Sequence, residues 1–255
     1  MNVWVKKSID LAYSDKYLDR LLEIYPVGEE IERKIPRDLI EDVKVAYEEK
    51  DDYILLESLL KLPRFPMDYP YAESLRRIQN LHKNPAVVDQ IARRLFKMEI
   101  STILKLASIP KSPTRQYGAS FKKWLVSLDI PYLPSEEIFN KKGVYLLSGS
   151  DTSLKNFVIN KLGINLQKGI DIVLKVGEKF VIGEAKFLTH DGGTQNNQFN
   201  IALDLASRKS DKAFFVAVLD GVLWFESGNY MNQTIRGFED HAMSALLLPD
   251  FIKSL

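Results

Sequence analysis

The chain has 255 residues, of which 45% are apolar and 27% charged, and its net charge is +1. It contains no cysteine and three histidines, which excludes disulfides and Cys-based metal sites and argues against a zinc site. No apolar run is long enough to cross a bilayer, and the first residues lack the pattern of a signal peptide. We therefore expect a soluble cytoplasmic protein with no membrane partner.

The first part of the chain is predicted to be helical. Apolar residues at helical spacing indicate a helix near 18–25, one or two helices over 31–49, and further helices over 53–60 and 87–95. The stretch 63–71 holds three prolines and aromatic residues and resembles a linker. We predict an all-α N-terminal region over residues 1–109 that serves dimerisation or DNA binding.

The charge is distributed unevenly along the chain. Residues 1–60 carry 15 acidic against 9 basic residues, whereas residues 76–125 carry 11 basic against 2 acidic ones. A basic block of this size is typical of a polyanion-binding surface, although some of its lysines are expected to belong to solvated helix faces. We predict DNA-backbone contacts from Arg93, Arg94, Lys122 and Lys123.

Beyond residue 110 the pattern becomes mixed. It predicts a short helix over 120–126, a strand over 144–147, a helix after Ser150, a β-hairpin over 170–187, a helix over 195–206, neighbouring strands over 213–219 and 222–225, and a closing helix within 234–254. The predicted fold class is therefore α/β, with a mixed β-sheet flanked by helices in a domain spanning residues 110–255.

The hairpin carries three charged residues within apolar strands: Asp171, Glu184 and Lys186. Alternate residues of a strand share a face, so Glu184 and Lys186 point the same way and Asp171 can meet them across the ladder. Two carboxylates on neighbouring strands form an oxygen pocket suited to Mg²⁺. The plain alternative is a surface ion pair on a two-stranded ribbon, but charges in near-continuous apolar strands are costly to bury unless paired or metal-bound.

The segment Lys168-Gly-Ile-Asp171, followed by Gly183-Glu-Ala-Lys186, resembles the active-site motif of the PD-(D/E)xK nuclease superfamily, with Ile170 where a proline would stand. The stretches 113–125, 147–151 and 187–199 are similar to type II restriction endonucleases. The resemblance implies a restriction-endonuclease-like core, Mg²⁺ as cofactor, double-stranded DNA as substrate and 5′-phosphate products. It also implies that a further upstream acid can take part, for which the candidates are Asp151, Glu136 and Glu137.

Metal-assisted chemistry follows from the same residues. A metal held by Asp171, Glu184 and the carbonyl of Ala185 polarises a phosphate and acidifies a bound water. Lys186 can orient or deprotonate that water and offset charge in the transition state.

Base reading needs Arg, Asn and Gln side chains, which match the edges of guanine and adenine. The candidates are Arg115, Gln116, Gln195, Asn196, Asn197 and Gln198. Helix capping and solvation explain the Gln/Asn cluster equally well, and a phosphate contact explains Arg115 slightly better than base reading.

Three functions stay open at this point. We predict the first, a type II restriction endonuclease; the alternatives are a structure-specific repair nuclease or junction resolvase of the same fold, and a non-catalytic DNA-binding protein. The chain has one catalytic motif and no internal repeat, so one subunit is expected to cut one strand. A double-strand break then needs two subunits, which predicts a homodimer. We expect its interface at the stretch 63–71 and the acidic N-terminal helices, because neither has an evident catalytic task.

Overall fold

A computed structural model describes residues 1–26, 33–77, 81–109, 117–139 and 141–255, and at 135 and 136 only the backbone. The chain divides into two compact units. The helical unit spans Glu29–Lys111, and the α/β unit comprises Met1–Gly28 and Ser112–Leu255. The second boundary lies near the predicted 109/110 division, but the first 28 residues group with the α/β unit instead of with the helices that follow them.

The helical unit contains α3 to α7. These helices span Arg37–Glu48, Asp52–Lys61, Ala72–Arg77, Pro85–Leu95 and Ile100–Ser108, and a short 3₁₀ turn covers Leu81–Lys83. Their apolar sides meet in one core around Leu55, Leu59, Ile91 and Ile103, all fully buried. The predicted helices over 53–60 and 87–95 are confirmed. Phe65 in the proline-rich stretch is also buried in this core, so that stretch is part of the packed unit.

The α/β unit begins with two helices, α1 (Val3–Ala12) and α2 (Tyr17–Ile24). Its later helices α8 to α13 span Tyr117–Ser127, Ser135–Ile138, Asp151–Phe157, Gly193–Ala206, Tyr230–Arg236 and Leu248–Lys253. A π-helical turn over Val158–Leu162 extends α10. The predicted helix at 18–25 is confirmed as α2, whereas α1 was not predicted.

Six strands form a mixed sheet in the order β1-β2-β3-β4-β5-β6. They span Tyr132–Leu133, Val144–Leu147, Ile172–Val176, Lys179–Leu188, Ala213–Gly221 and Ala242–Met243. The pairs β2–β3 and β3–β4 are antiparallel, and β1–β2, β4–β5 and β5–β6 are parallel. The predicted mixed α/β fold class is therefore confirmed.

The centre of the sheet is a β4–α11–β5 unit. Parallel neighbours need a crossover connection, which α11 supplies, and such strands are buried on both faces. Accordingly β4 and β5 hold near-continuous apolar runs, and α11 packs Phe199, Ala202 and Leu203 into the same core. The few charged residues of β4 therefore stand out against apolar surroundings.

The predicted strand at 222–225 is wrong, because Val222–Trp224 forms a 3₁₀ turn. Gly221 ends β5 with φ of 106°, in the left-handed region open to glycine. A Cβ there would lie 1.9 Å from the carbonyl oxygen of Leu188. Trp224 Nε1 then donates a 2.7 Å hydrogen bond to the carbonyl of Leu219, which folds the segment back on β5.

The C-terminal region is only partly the predicted helix. The helices α12 and α13 are separated by the edge strand β6 and a 3₁₀ turn over Ala245–Leu247. Within the described ranges no helix is long and apolar enough to span a bilayer. The cytoplasmic location stays a prediction.

Candidate active site

Asp171 is placed by the ladder between β3 and β4. It stands directly before β3, and its backbone N–H donates to the carbonyl of Gly183 at 3.1 Å. Ile172 is the Cα partner of Gly183 in the antiparallel register. Asp171 therefore lies beside Glu184, the next residue of β4, as the hairpin pattern predicts.

Glu184 and Lys186 share one face of β4, while Ala185 between them is buried in the core on the other. The exposed fractions of the side chains are 13% for Glu184, 23% for Lys186 and 14% for Asp171. All three charges are thus largely withdrawn from water but still reachable from it. A surface ion pair on an exposed ribbon does not describe this site.

The three side chains meet at the ammonium of Lys186. Its Nζ lies 2.6 Å from Glu184 Oε1 and 3.3 Å from Asp171 Oδ2, and it donates to the carbonyl of Ala185 at 3.0 Å. Asp171 Oδ2 also accepts the backbone N–H of Ala185 at 3.0 Å. Such charge-assisted contacts hold the three groups in one fixed arrangement.

Burial and mutual charge change the acidity of the site. Burial, and then the charge of Asp171, raise the pKa of Glu184, while Lys186 and Lys168 oppose the rise. Burial by itself lowers the pKa of Lys186, but the charges of Asp171 and Glu184 more than offset it, so this pKa is raised. Lys186 is therefore held as a cation between the two carboxylates.

The donor set fits a hard divalent cation. Asp171 Oδ2 and Glu184 Oε1 take the contacts with Lys186, and in the described part of the chain no protein donor reaches Asp171 Oδ1 or Glu184 Oε2. Each carboxylate thus keeps one oxygen for a metal, and the carbonyl of Ala185 adds a third. No group of three or more His, Cys, Asp or Glu side chains that could hold a metal occurs among the described residues. A Mg²⁺ here would keep several waters or substrate oxygens, as that ion commonly does.

The upstream acids are placed differently from one another. Asp151 begins α10 and forms an ion pair with Lys122 of α8. It packs against Gly169, where an added Cβ would lie 2.7 Å from the Cβ of Asp151. Glu137 is exposed on α9, and the side chain of Glu136 lies outside the described residues. Asp151 is therefore in contact with the loop that leads to Asp171, and its carboxylate already has a partner.

The Gln/Asn cluster divides by structural role. Gln195 Oε1 accepts from the backbone N–H groups of Thr189 and His190, and its Nε2 donates to Thr189 Oγ1 at 2.8 Å. Asn196 Oδ1 accepts the N–H of Gly192 at 3.0 Å. Both amides organise the loop before α11, whereas Asn197 is exposed and Gln198 half-buried. Base reading fits Asn197 and Gln198 better than Gln195 and Asn196.

The basic candidates fall in both units. Lys123 is exposed on α8 next to the paired Lys122. In the helical unit Arg93 bonds Asp89 on α6 at 2.8 Å, and Arg94 lies over the ring of Tyr69. Arg115 and Gln116 lie outside the described residues, so their predicted role as base readers stays a prediction.

The sequence analysis missed a buried carboxylate on the strand beside the site. Asp220 on β5 pairs in register with Phe187 and is fully buried. It accepts hydrogen bonds from Ser244 Oγ at 2.5 Å, Tyr25 Oη at 2.9 Å and the backbone N–H of Ala245 at 3.2 Å. An Asp at the end of an apolar strand was the available signal.

This cluster supports the catalytic strand. The ring of Tyr25 packs on Phe187, the residue after Lys186, with ring centroids 4.7 Å apart. Burial, and then the charge of Asp220, raise the pKa of Tyr25, so its hydroxyl stays a donor. Burial raises the pKa of Asp220 itself to about 6.

Comparison with known proteins identifies a family. The sequence model of the Tsp45I type II restriction enzyme family matches residues 2–255, nearly the whole chain. A search of the curated proteins and a search of the solved structures found no match.

Proposed function

Because this chain belongs to the Tsp45I type II restriction enzyme family, we propose that Asp171, Glu184 and Lys186 form its catalytic centre. Membership makes the protein a site-specific deoxyribonuclease that binds double-stranded DNA, with a restriction-endonuclease-like fold. It sets aside the junction resolvase and the non-catalytic DNA-binding protein. The observation that supports these three residues is their meeting at the ammonium of Lys186, on one face of the central hairpin.

The cofactor we propose is Mg²⁺, held by Asp171, Glu184 and the carbonyl of Ala185. When bound, it would polarise the scissile phosphate and lower the pKa of a coordinated water. The support is the donor set: each carboxylate keeps one oxygen that no donor from the described residues reaches, and oxygen ligands of this kind suit a hard cation.

Lys186 supplies a positive charge beside the reacting phosphate, in addition to that of the metal. In the present arrangement its ammonium contacts two carboxylates and the carbonyl of Ala185, which take up its three N–H groups. A metal bound to the carboxylates would compete for those oxygens, and the ammonium could then donate to a water or to a phosphate oxygen. We propose that it orients the attacking water and offsets the negative charge that builds up on the phosphate. The expected products carry 5′-phosphate and 3′-hydroxyl ends.

A plasmid digest tests the proposal. Incubation with Mg²⁺ should give discrete bands, and EDTA should abolish them. DNA ligase should rejoin the fragments directly, since ligation requires a 5′-phosphate. Fragments that rejoin only after treatment with a polynucleotide kinase would contradict the proposed end chemistry, and undiminished cutting in EDTA would contradict the metal.

We further propose that the enzyme acts as a homodimer. One centre cuts one strand, so a double-strand break needs two centres related by a two-fold axis. In α2 the side chains of Leu18 and Leu22 are 63% and 49% exposed, and these apolar groups support the N-terminal helices as part of the interface. Light scattering of the DNA complex tests this: one 29.2 kDa chain per duplex, with coupled cutting of both strands, would rule the dimer out.

A further inference from the structure

A cavity of about 180 Å³ adjoins the catalytic centre on the side of Glu184. The segment 166–170 forms one wall, and α11 together with Arg208, two residues beyond its end, forms the other. Its charged lining consists of Lys168, Glu184, Asp204 and Arg208. The cavity therefore brings positive side chains next to one of the proposed metal ligands.

Lys168 differs from the other cations near the centre. Lys186 is taken up by two carboxylates, and Arg208 donates to the carbonyl of Asn165. Lys168 is exposed and, among the described residues, forms no ion pair within 4.0 Å. Burial raises the pKa of Glu184, and Lys168 is one of the two lysines whose charge opposes that rise. Its ammonium is therefore within electrostatic reach of the centre.

The backbone of Lys168 is fixed on both sides. Gln167 accepts a hydrogen bond on its carbonyl from Lys155 Nζ at 3.3 Å. Gly169 packs against Asp151, and the N–H of Ile170 donates to the carbonyl of Asp151 at 3.4 Å. The Lys168 side chain therefore extends from a fixed loop, three residues before Asp171. It can contact a substrate with little rearrangement of the backbone.

The charge balance of the cavity favours an anion once the metal is present. Two cations face two carboxylates there, so the lining is close to neutral by itself. A divalent metal on Glu184 would make it positive, which favours a phosphate group. Along DNA, the groups of this chemistry nearest to a cleaved bond are the scissile phosphate and its neighbours.

We propose that Lys168 binds a DNA phosphate at or next to the scissile bond and is a further substrate-binding residue of the cleavage reaction. This inference rests on the proposed catalytic centre. It assigns Lys168 and Lys186 different tasks: Lys186 serves the attacked phosphorus and its water, whereas Lys168 holds the strand in place on the Glu184 side.

The first test compares Lys168→Ala and Lys168→Arg with the control Lys161→Ala. Lys161 is also an exposed lysine of the α/β unit, but it lines a different cavity, with Ser153 and Asn160. Single-turnover cleavage should fall about 100-fold in Lys168→Ala, recover to within about tenfold in Lys168→Arg and stay within about twofold in Lys161→Ala. DNA binding without cleavage, measured in Ca²⁺, should lose about one unit of salt slope in Lys168→Ala. Equal rates and slopes for Lys168→Ala and Lys161→Ala would overturn the inference.

The second test locates the phosphate that Lys168 binds. Duplexes of the mapped target carry one uncharged methylphosphonate, placed at each phosphate around the cut in turn. At the phosphate that Lys168 binds, the modification should weaken binding by the wild-type protein and change Lys168→Ala binding little, because the variant has no ammonium to pair with that phosphate. Effects that simply add at every position would contradict the pairing.

A failure of the underlying centre is distinguishable from a failure of this inference. If Asp171→Ala cleaves like the wild type, the catalytic assignment fails and Lys168 loses its premise. If Asp171→Ala is inactive while Lys168→Ala behaves like Lys161→Ala, only the role of Lys168 is wrong.

Discussion

The two compact units differ in what they bury. Among the described residues, the buried polar and charged side chains of the α/β unit are Ser8, Lys175, Asp220, Asn232 and Ser244, whereas the helical unit buries only Ser58. The α/β unit also holds the half-buried triplet at Lys186. The ion pairs described in the helical unit are short-range pairs on helix surfaces, such as Arg76–Glu73 and Arg93–Asp89.

This difference shows that the charged side chains with a catalytic or structural role lie in the α/β unit. A buried ionisable group costs free energy unless hydrogen bonds or counter-charges compensate it. The α/β unit bears this cost at three adjacent strands, β3, β4 and β5, whereas exposed helical pairs contribute little to stability. Altering the buried and half-buried charges of the α/β unit should therefore change catalysis or folding, whereas altering surface charges of either unit away from the catalytic centre should change only encounters with other molecules. The following predictions test this contrast, beginning with the largest expected effect.

Removing any member of the catalytic triplet should abolish cleavage. Asp171→Ala, Glu184→Ala and Lys186→Ala should each slow single-turnover cleavage by at least about a thousandfold, since each supplies a separate part of one centre. Lys186→Ala should still bind the target specifically. Glu178→Ala, in the turn of the same hairpin, and Lys179→Ala, at the start of β4, serve as controls and should cut normally. Full activity in any of the three triplet variants would show that these residues do not form the catalytic centre.

Loss of the buried carboxylate should destabilise the fold. Asp220→Ala leaves the hydroxyls of Tyr25 and Ser244 and one backbone N–H without their acceptor, so the free energy of unfolding should fall by about 3 kcal/mol. Tyr25→Phe removes a single donor and should cost about 1 kcal/mol. Urea unfolding measures both, with exposed Asp211→Asn as control. An Asp220→Ala protein as stable as that control would show that the cluster does not support the fold.

The ionisation of Asp220 should appear in the pH dependence of stability. Burial raises its pKa from the ordinary 3.8 to about 6, so between these values the folded protein holds a proton that the unfolded chain has lost. This group therefore stabilises the fold more at low pH, and its contribution falls as pH rises through 6. Between pH 5 and pH 7 the wild type should lose about 1 kcal/mol of stability relative to Asp220→Asn. An unchanged difference between the two proteins would place the pKa of Asp220 outside this range.

Surface cations of both units should act on affinity alone. Replacing Arg93 and Arg94, or Lys122 and Lys123, with alanine should weaken binding to all sequences alike and lower the salt slope by about one unit for each phosphate that the variant no longer neutralises. Cleavage at saturating enzyme should change little. Arg115→Ala should instead alter the preference among sequences. If Arg115→Ala and the paired variants change affinity and sequence preference in the same way, the assignment of Arg115 to base reading and of the other four residues to phosphate contacts is wrong.

Local signals were sufficient for much of the chain. Amphipathic spacing predicted α4 and α6, and apolar β-branched runs predicted β3, β4 and β5, because these patterns depend on neighbours within a few residues. The hairpin register placed Asp171 beside Glu184 and Lys186 for the same reason: alternation along two adjacent strands decides which side chains share a face. The motif, the fold class and the three catalytic candidates were therefore available from the sequence.

Other features depended on partners distant in sequence. The 3₁₀ turn at 222–224 exists because Gly221 passes against Leu188 and Trp224 bonds back to β5, and β6 is a strand only by pairing with β5. The buried carboxylate of Asp220 accepts hydrogen bonds from Tyr25 and Ser244, which are distant from it in sequence. The cavity beside Lys168 exists only because α11 forms its second wall. The sequence by itself determined which charged residues are able to take part in catalysis. Only tertiary packing decided how each charge is compensated, because compensation requires donors and counter-charges from separate elements to converge on one atom.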